Sequence, residues 1–216
     1  MNYEYILFDL DGTLTDPKVG ITKSVAYALN SFGIQVNNLD ELDVFIGPPL
    51  RDSFQLYYKL TPKETEEAVE KYREYFSVTG KFENAVYQGI PNLLSELKRK
   101  GKKLIVATSK PILYSKQILE HFGLLTFFDY VAGSELDGRR SDKEEVILYA
   151  LNENHIINRE KVLMIGDRKF DILGAKSLNI DSVGVLYGYG DLKEHEEAGA
   201  TFIVDSVDSL SDLLLG

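Results

Sequence analysis

Five short apolar runs, each ending in polar residues, constrain the fold of this chain more than any other feature of its sequence. The runs are four or five residues long without strict alternation, which is typical of strands buried on both faces of a sheet. Segments with helical spacing separate them, and strands alternating with helices indicate a parallel sheet with right-handed crossovers. The five predicted strands are Tyr5–Phe8, Leu104–Ala107, Val162–Ile165, Ser182–Leu186 and Thr201–Val204.

The stretch from about residue 17 to residue 82 interrupts this alternation, because it contains several helical patterns and no convincing buried strand. Thr61-Pro62-Lys63-Glu64 combines a capping box with proline at the first helical position, and predicts a helix start. Gly47-Pro48-Pro49-Leu50 predicts a rigid turn between helices. We therefore predict an α/β fold: a Rossmann-like, doubly wound parallel sheet core, residues 1–16 and 83–216, with an inserted all-helical cap domain, residues 17–82.

The composition limits both the partners and the chemistry. The net charge of −10 disfavours a stable nucleic-acid partner, because a polyanion is repelled. The chain has no cysteine and three dispersed histidines, so any metal is expected to be a hard ion held by oxygen. No apolar run approaches the roughly 20 residues of a membrane helix, and the first residues lack the features of a secretory signal. We expect a cytoplasmic protein, monomer or homodimer, without a membrane partner.

Two carboxylates, Asp9 and Asp11, follow the first predicted strand directly. Their spacing sends them to the same side of the strand. Such a pair persists when a cation lies between the two groups, or when one of them holds a proton and acts as an acid or base beside a nucleophile. Taken alone, the Asp-Gly dipeptide is equally compatible with a simple turn.

Three further segments place polar side chains after strands or at helix starts. Thr108-Ser109-Lys110-Pro111 either cradles a phosphate with its hydroxyl and amide groups or caps a helix. Gly166–Asp171 contributes Asp167 and Asp171, which approach each other once a helix begins. Lys143 either belongs to a solvated run of charges or reaches the same pocket and balances its acids.

These segments are expected to meet, because ligands of doubly wound sheets bind beyond the carboxyl ends of the strands. A cluster of carboxylates without histidine or cysteine prefers Mg²⁺, which shares its coordination with substrate phosphate oxygens. The residues expected at this edge of the sheet are Asp9, Asp11, Thr108, Lys143, Asp167 and Asp171.

At these positions the whole chain resembles the haloacid dehalogenase-like hydrolase superfamily. Asp9–Thr13 matches its first motif, Thr108 the second, Lys143 the third and Gly166–Asp171 the fourth, in the family's order. The inserted helical segment is similar to the cap of the phosphoglycolate-phosphatase-like branch. Within that branch, the segment from Arg139 to Ile147 is similar to that of bacterial 5′-nucleotidase-like members.

The resemblance implies a Mg²⁺-dependent phosphatase that acts on a small phosphorylated metabolite, such as a 5′-nucleotide or phosphoglycolate, through an aspartyl-phosphate. It implies Asp9 as nucleophile and Asp11 as acid and then base. Asp9, the backbone carbonyl of Asp11 and Asp167 would hold Mg²⁺, and Asp171 would complete the metal site by orienting a metal-bound water. Thr108, Ser109 and Lys143 would bind the phosphate.

Several assignments stay open. The sequence around Lys143 lacks the proline-rich run of many relatives, so Lys110 is the alternative phosphate-binding lysine. Arg51 of the cap either pairs with an anionic group of the substrate or is an ordinary surface residue. The aromatic residues of the cap either stack on a substrate ring or pack between cap helices. These residues are Phe54, Tyr57, Tyr58, Tyr72 and Tyr75.

Two other functions are compatible with the motifs. A sugar-phosphate mutase would return the phosphoryl group to its substrate instead of to water. A non-catalytic binding protein would keep only the scaffold, and this alternative is disfavoured because every acid that the chemistry requires is present.

Overall fold

The computed structural model describes residues 2–216. The chain divides into two compact units, Met1–Asp16 with Val86–Gly216, and Pro17–Ala85. The second boundary therefore follows Ala85, whereas the sequence places it after residue 82. Glu83 belongs to the helical unit because its carbonyl accepts a hydrogen bond from Gly20 N (2.9 Å) and its carboxylate pairs with Lys23 (2.5 Å).

A parallel sheet of six strands forms the centre of the first unit. Its order is β5-β4-β1-β6-β7-β8, and Phe8 in β1 pairs with Val106 on one side and Ile165 on the other. The six strands are β1 (Tyr5–Phe8), β4 (Lys103–Pro111), β5 (Tyr130–Ser134), β6 (Val162–Gly166), β7 (Asp181–Val185) and β8 (Phe202–Val204). Two short strands, β2 (Thr15–Asp16) and β3 (Ala85–Val86), form a separate sheet.

Both faces of the six-stranded sheet are covered. Leu7, Ile105 and Met164 belong to one buried cluster with residues of α6 and α7, while the alternate residues Phe8 and Val106 are also fully buried. The α/β prediction is confirmed. The helices of this unit are α4 (Ile90–Arg99), α5 (Ile112–His121), α6 (Lys143–Glu153), α7 (Lys169–Ser177), α8 (Leu192–Ala198) and α9 (Val207–Leu215).

Strand β5, at one edge of the sheet, is absent from the strands predicted from the sequence. Tyr130–Ser134 contains Ala132 and Gly133, which shorten its apolar run. Gly133 is required by packing, because a Cβ added there would lie 2.7 Å from the carbonyl oxygen of Lys110 in the neighbouring strand β4. Because the backbones of β5 and β4 lie so close together, only glycine fits at position 133. The apolar run that would have predicted this strand is therefore shortened.

The second unit contains helices α1 (Lys18–Ser31), α2 (Leu50–Tyr58) and α3 (Pro62–Phe76), with 3₁₀ helices at Leu39–Phe45 and Gly80–Phe82. The predicted capping box at the start of α3 is confirmed: Thr61 N donates to Glu64 Oε2 (2.8 Å), and Glu64 N donates to Thr61 Oγ1 (3.4 Å). Among residues 2–216, no helix is both long and apolar enough to cross a bilayer.

Gly20 in α1 permits close packing within the helical unit. A Cβ added at this position would lie 1.8 Å from the carbonyl oxygen of Gly80. We expect Gly20→Ala to lower the free energy of unfolding by about 1–3 kcal/mol, because a backbone group has to move to accept the methyl group. Urea denaturation measures this change. Val19→Ala, at a half-exposed neighbour, is the control, and equal stability of the two variants would contradict the prediction.

Candidate active site

The predicted site residues lie together at the carboxyl ends of three neighbouring strands. Two helix starts contribute the remaining residues. Asp9 follows β1 directly, Thr108 lies near the end of β4 and Asp167 follows β6. Lys143 is the first residue of α6, and Asp171 lies in the first turn of α7. Because β4, β1 and β6 are adjacent and parallel, their carboxyl ends lie together.

The carboxylates of Asp9, Asp167 and Asp171 form a buried group. One oxygen of each lies within 4.8 Å of the others, and their residues are only 6%, 1% and 1% exposed. Backbone amides fix their orientation: Leu10 N donates to Asp9 Oδ1 (2.8 Å), and Tyr189 N donates to Asp167 Oδ2 (2.8 Å). Asp171 Oδ2 accepts from the amide of Arg168 (3.1 Å).

Lys143 supplies positive charge to this group. Its Nζ lies 2.9 Å from Asp9 Oδ1 and 2.7 Å from Asp171 Oδ1, and it donates to the carbonyl of Ala107 (3.3 Å). Burial alone would lower the pKa of Lys143, but Asp171 and Asp9 raise that pKa above its ordinary value. The lysine therefore stays charged in the folded protein.

Lys110, the alternative phosphate-binding lysine, lies elsewhere in the site. Its Nζ pairs with Asp11 Oδ2 at 2.6 Å, and both side chains are largely buried. The carboxylate of Asp11 is not part of the three-carboxylate group. The structure thus gives each of the first two aspartates its own lysine, Lys143 for Asp9 and Lys110 for Asp11.

Burial, and to a lesser extent the charges of neighbouring carboxylates, raises the pKa values of three aspartates of the site. Burial, followed by the charges of Asp171 and Asp9, raises the pKa of Asp167 well above its ordinary value. The pKa of Asp171 rises to about 6, mainly through burial, although Lys143 opposes the shift. Burial also raises the pKa of Asp11, against the opposing charge of Lys110. These groups share an excess of negative charge that a cation would relieve.

The residues fit a divalent cation. Within the described part of the chain, the buried Asp167 Oδ1 has no hydrogen-bond partner, and a cation would satisfy it. Gly12, with φ of 79°, leaves room beside this carboxylate, since an added Cβ would lie 2.0 Å from Asp167 Oδ2. Oxygen ligands alone suit a hard ion such as Mg²⁺.

The remaining predicted residues have different surroundings. Thr108 is buried, and its Oγ1 accepts a hydrogen bond from Lys110 N (3.2 Å); Ser109 is half-buried. In the helical unit, Arg51 forms a bidentate pair with Glu66, with distances of 2.6 and 2.8 Å.

The cap aromatics pack largely within their own unit. Phe45 contacts the rings of Phe54, Tyr57 and Tyr58, with centroid separations of 5.0 to 6.0 Å. Tyr72 stacks on Phe76.

The loop after β7 contacts the site, although it is not among the site segments predicted from the sequence. Tyr189 donates its amide to Asp167, as described above, and Tyr187 donates its hydroxyl to the carbonyl of Thr13 (3.1 Å). The repeated Tyr-Gly pattern of residues 187–190, placed after a buried strand, is the signal that could have indicated this loop.

Comparison with known proteins identifies the family. The model of the haloacid dehalogenase-like hydrolase family matches residues 6–185, so this chain belongs to that family and the predicted family and hydrolase class are confirmed. A solved structure of a predicted phosphatase from Clostridium acetobutylicum is 52% identical, covers 100% of this chain and 99% of that one, and superposes with a TM-score of 0.96.

Curated relatives have different names. A 5′-nucleotidase from Pseudomonas aeruginosa is 47% identical, over 91% of this chain and 90% of that protein. Tyrosine-protein kinase PtkA from Mycobacterium tuberculosis is 35% identical, over 98% of this chain and 72% of that protein. A phosphoglycolate phosphatase from Vibrio cholerae is 30% identical, over 97% of this chain and 96% of that protein. The relatives therefore include a 5′-nucleotidase and a phosphoglycolate phosphatase, the two kinds of enzyme that the sequence resembles.

Proposed function

We propose that this protein is a Mg²⁺-dependent phosphomonoester hydrolase that acts through an aspartyl-phosphate on a small phosphorylated metabolite. One observation carries the proposal: Lys143 lies 2.9 and 2.7 Å from Asp9 and Asp171, inside a buried group of three carboxylates. A charged lysine beside the first aspartate offsets the repulsion between that aspartate and an incoming phosphate dianion.

In the first displacement, a carboxylate oxygen of Asp9 attacks phosphorus and the bond from phosphorus to the substrate oxygen breaks. Asp11 donates a proton to the departing alkoxide, which leaves as an alcohol. The raised pKa of Asp11 favours the protonated form that this step requires. Lys143 and the hydroxyl of Thr108 would hold the phosphoryl oxygens.

In the second displacement, water attacks the phosphorus atom of the aspartyl-phosphate. Asp11 accepts a proton from this water, the bond between phosphorus and the Asp9 oxygen breaks, and inorganic phosphate leaves. One carboxyl group thus serves both half-reactions and returns to its starting state.

Asp9, Asp167, Asp171 and the backbone carbonyl of Asp11 would hold Mg²⁺, which when bound neutralises charge on the phosphate. The same cation would relieve the repulsion that raises the pKa values of Asp167 and Asp171. Of the relatives described above, the 5′-nucleotidase, at 47% identity, favours a 5′-nucleotide as substrate over phosphoglycolate. The kinase among them favours a protein phosphoacceptor as the second candidate.

Assaying purified protein against nucleoside 5′-monophosphates, sugar phosphates and phosphoglycolate tests the function. We expect inorganic phosphate to be released with Mg²⁺ and release to stop in excess EDTA, because the acidic cluster then lacks its counter-charge. Added Mg²⁺ is expected to restore activity. Release that is insensitive to EDTA contradicts the metal site, and a bisphosphate intermediate without release of free phosphate identifies a mutase. Phosphate transfer from ATP to tyrosine without hydrolysis would identify the kinase alternative.

A further inference from the structure

The loop after β7 contains a segment, Gly188–Tyr189–Gly190, that contacts the site but has no part in the proposed reaction. The amide of Tyr189 donates to Asp167 Oδ2 at 2.8 Å. The other oxygen, Asp167 Oδ1, is buried and has no hydrogen-bond partner within residues 2–216. The amide thus engages one carboxylate oxygen and leaves the second available to a cation.

The two glycines of the segment are needed for its close approach to Asp167. A Cβ added at Gly188 would lie 2.4 Å from Asp167 Cβ and 2.4 Å from the carbonyl oxygen of Gly12, and one added at Gly190 would lie 2.1 Å from the carbonyl oxygen of Asp167. Neither glycine has a positive φ. Space, rather than backbone conformation, therefore requires glycine at both positions.

The tyrosine side chain attaches the segment to β2, the short strand that follows Asp11 in the sequence. The hydroxyl of Tyr189 donates to Asp16 Oδ1. Nearby in the same loop, the hydroxyl of Tyr187 donates to the carbonyl of Thr13 (3.1 Å). The segment therefore contacts both β2 and the carboxylate of Asp167, which are about 150 residues apart in the sequence.

We propose that Gly188–Tyr189–Gly190 is a positioning segment that orients the Asp167 carboxylate and thereby sets the affinity of the site for a divalent cation. The inference rests on the proposed function, since it assumes that Asp167 binds Mg²⁺. Groups that orient metal ligands typically change metal affinity by about 10- to 100-fold when they are altered. The segment touches no reacting atom, so its effect is on cation binding.

Isothermal titration of the full chain with Mg²⁺ tests this proposal through Gly188→Ala. We expect the dissociation constant to rise by about 10- to 100-fold, because the added methyl group displaces the Asp167 carboxylate. Saturating Mg²⁺ is expected to restore much of kcat, while the Mg²⁺ concentration for half-maximal activity rises. An effect on folding alone would not produce this change in Mg²⁺ dependence.

Gly20→Ala is the matched control. A Cβ added at Gly20, in α1, would lie 1.8 Å from the carbonyl oxygen of Gly80, so this substitution also overpacks a buried position but lies outside the unit that contains Asp167. We expect it to lower the unfolding temperature and to leave the Mg²⁺ affinity unchanged. Equal Mg²⁺ affinity of wild type and Gly188→Ala overturns the proposed positioning role alone. Absence of Mg²⁺ binding by the wild type instead contradicts the proposed metal-dependent function, and this inference with it.

Tyr189→Phe provides a second variant that adds no bulk. It removes the hydrogen bond to the Asp16 carboxylate, and we expect Mg²⁺ affinity to fall by about three- to tenfold because a hydrogen bond to a charged group is lost. Tyr149→Phe, which removes a hydroxyl that accepts from Tyr130 at 3.1 Å, is its control and should bind Mg²⁺ as the wild type does. If Gly188→Ala does not fold, unchanged affinity in Tyr189→Phe overturns the proposal.

Discussion

Asp9→Asn is expected to reduce phosphate release by about 10⁴-fold or more, because loss of a nucleophile has effects of this order and the amide of asparagine does not replace the carboxylate in the attack on phosphorus. The substitution keeps the shape of a residue that is only 6% exposed. Its side-chain carbonyl can still accept the hydrogen bond from Leu10 N, and Lys143 keeps its pair with Asp171. We therefore expect the variant to fold.

Steady-state assays and acid quenching with ³²P-labelled substrate measure this effect. Wild-type protein should retain acid-stable label during turnover, and Asp9→Asn should retain none. Asp137→Asn, which alters an exposed aspartate paired with Arg139, is the control and should keep full activity. Undiminished phosphate release by folded Asp9→Asn would show that another group is the nucleophile.

Lys143→Met is expected to lower the free energy of unfolding by about 3–5 kcal/mol in EDTA, because removing one partner of a buried ion pair leaves uncompensated charge. The lysine contacts both Asp9 and Asp171 and is 5% exposed. Mg²⁺ should recover part of this loss, since it supplies positive charge to the same carboxylates. Urea denaturation with EDTA or with Mg²⁺ measures both effects.

The loss caused by Lys143→Met should depend on pH. The pKa of Asp171 is raised from 3.8 to about 6 with the lysine present, and removing the lysine raises it further. A carboxyl group with a raised pKa in the folded state binds protons more tightly there than in the unfolded chain, so lowering the pH from 8 to 5.5 stabilises the folded variant. We expect a smaller loss at pH 5.5 than at pH 8.

A half-exposed ion pair provides the comparison for Lys143→Met. Lys98 pairs with Asp129 at 2.7 Å, with side chains 34% and 25% exposed. Lys98→Met should cost no more than about 1 kcal/mol, since exposed pairs contribute little. If the Lys143→Met variant is as stable as the wild type in EDTA at pH 8, this lysine does not have the electrostatic role assigned to it.

The central strands and the acids that follow them could be predicted from sequence because burial on both faces produces a short continuous apolar run. Asp9 and Asp167 directly follow such runs in β1 and β6, and adjacent parallel strands bring their ends together. The capping box at Thr61 could be predicted because its two hydrogen bonds are local. In each case the physical cause lies within a few neighbouring residues.

The features that the sequence did not reveal depend on contacts between distant segments. β5 lacks a marked apolar run because Gly133 approaches the backbone of β4. The separate pairing of Lys143 with Asp9 and of Lys110 with Asp11 requires the geometry of both strand ends. The sequence around Lys143, which lacks the proline-rich run of many relatives, therefore left the two lysines as alternatives. The contact between Tyr189 and Asp167 uses the backbone amide of Tyr189. Every residue except proline has this group, so the sequence does not indicate the contact.

The order of the strands in the sheet has a consequence for biosynthesis. Tyr5 in β1 pairs with Val162 in β6, so at about 5–20 residues per second a ribosome needs on the order of 10–30 seconds to supply this partner. The helical unit, Pro17–Ala85, is complete in the nascent chain long before then. Asp9 is thus translated well before Asp167 and Asp171, so the candidate site is complete only once all three acids have been synthesised.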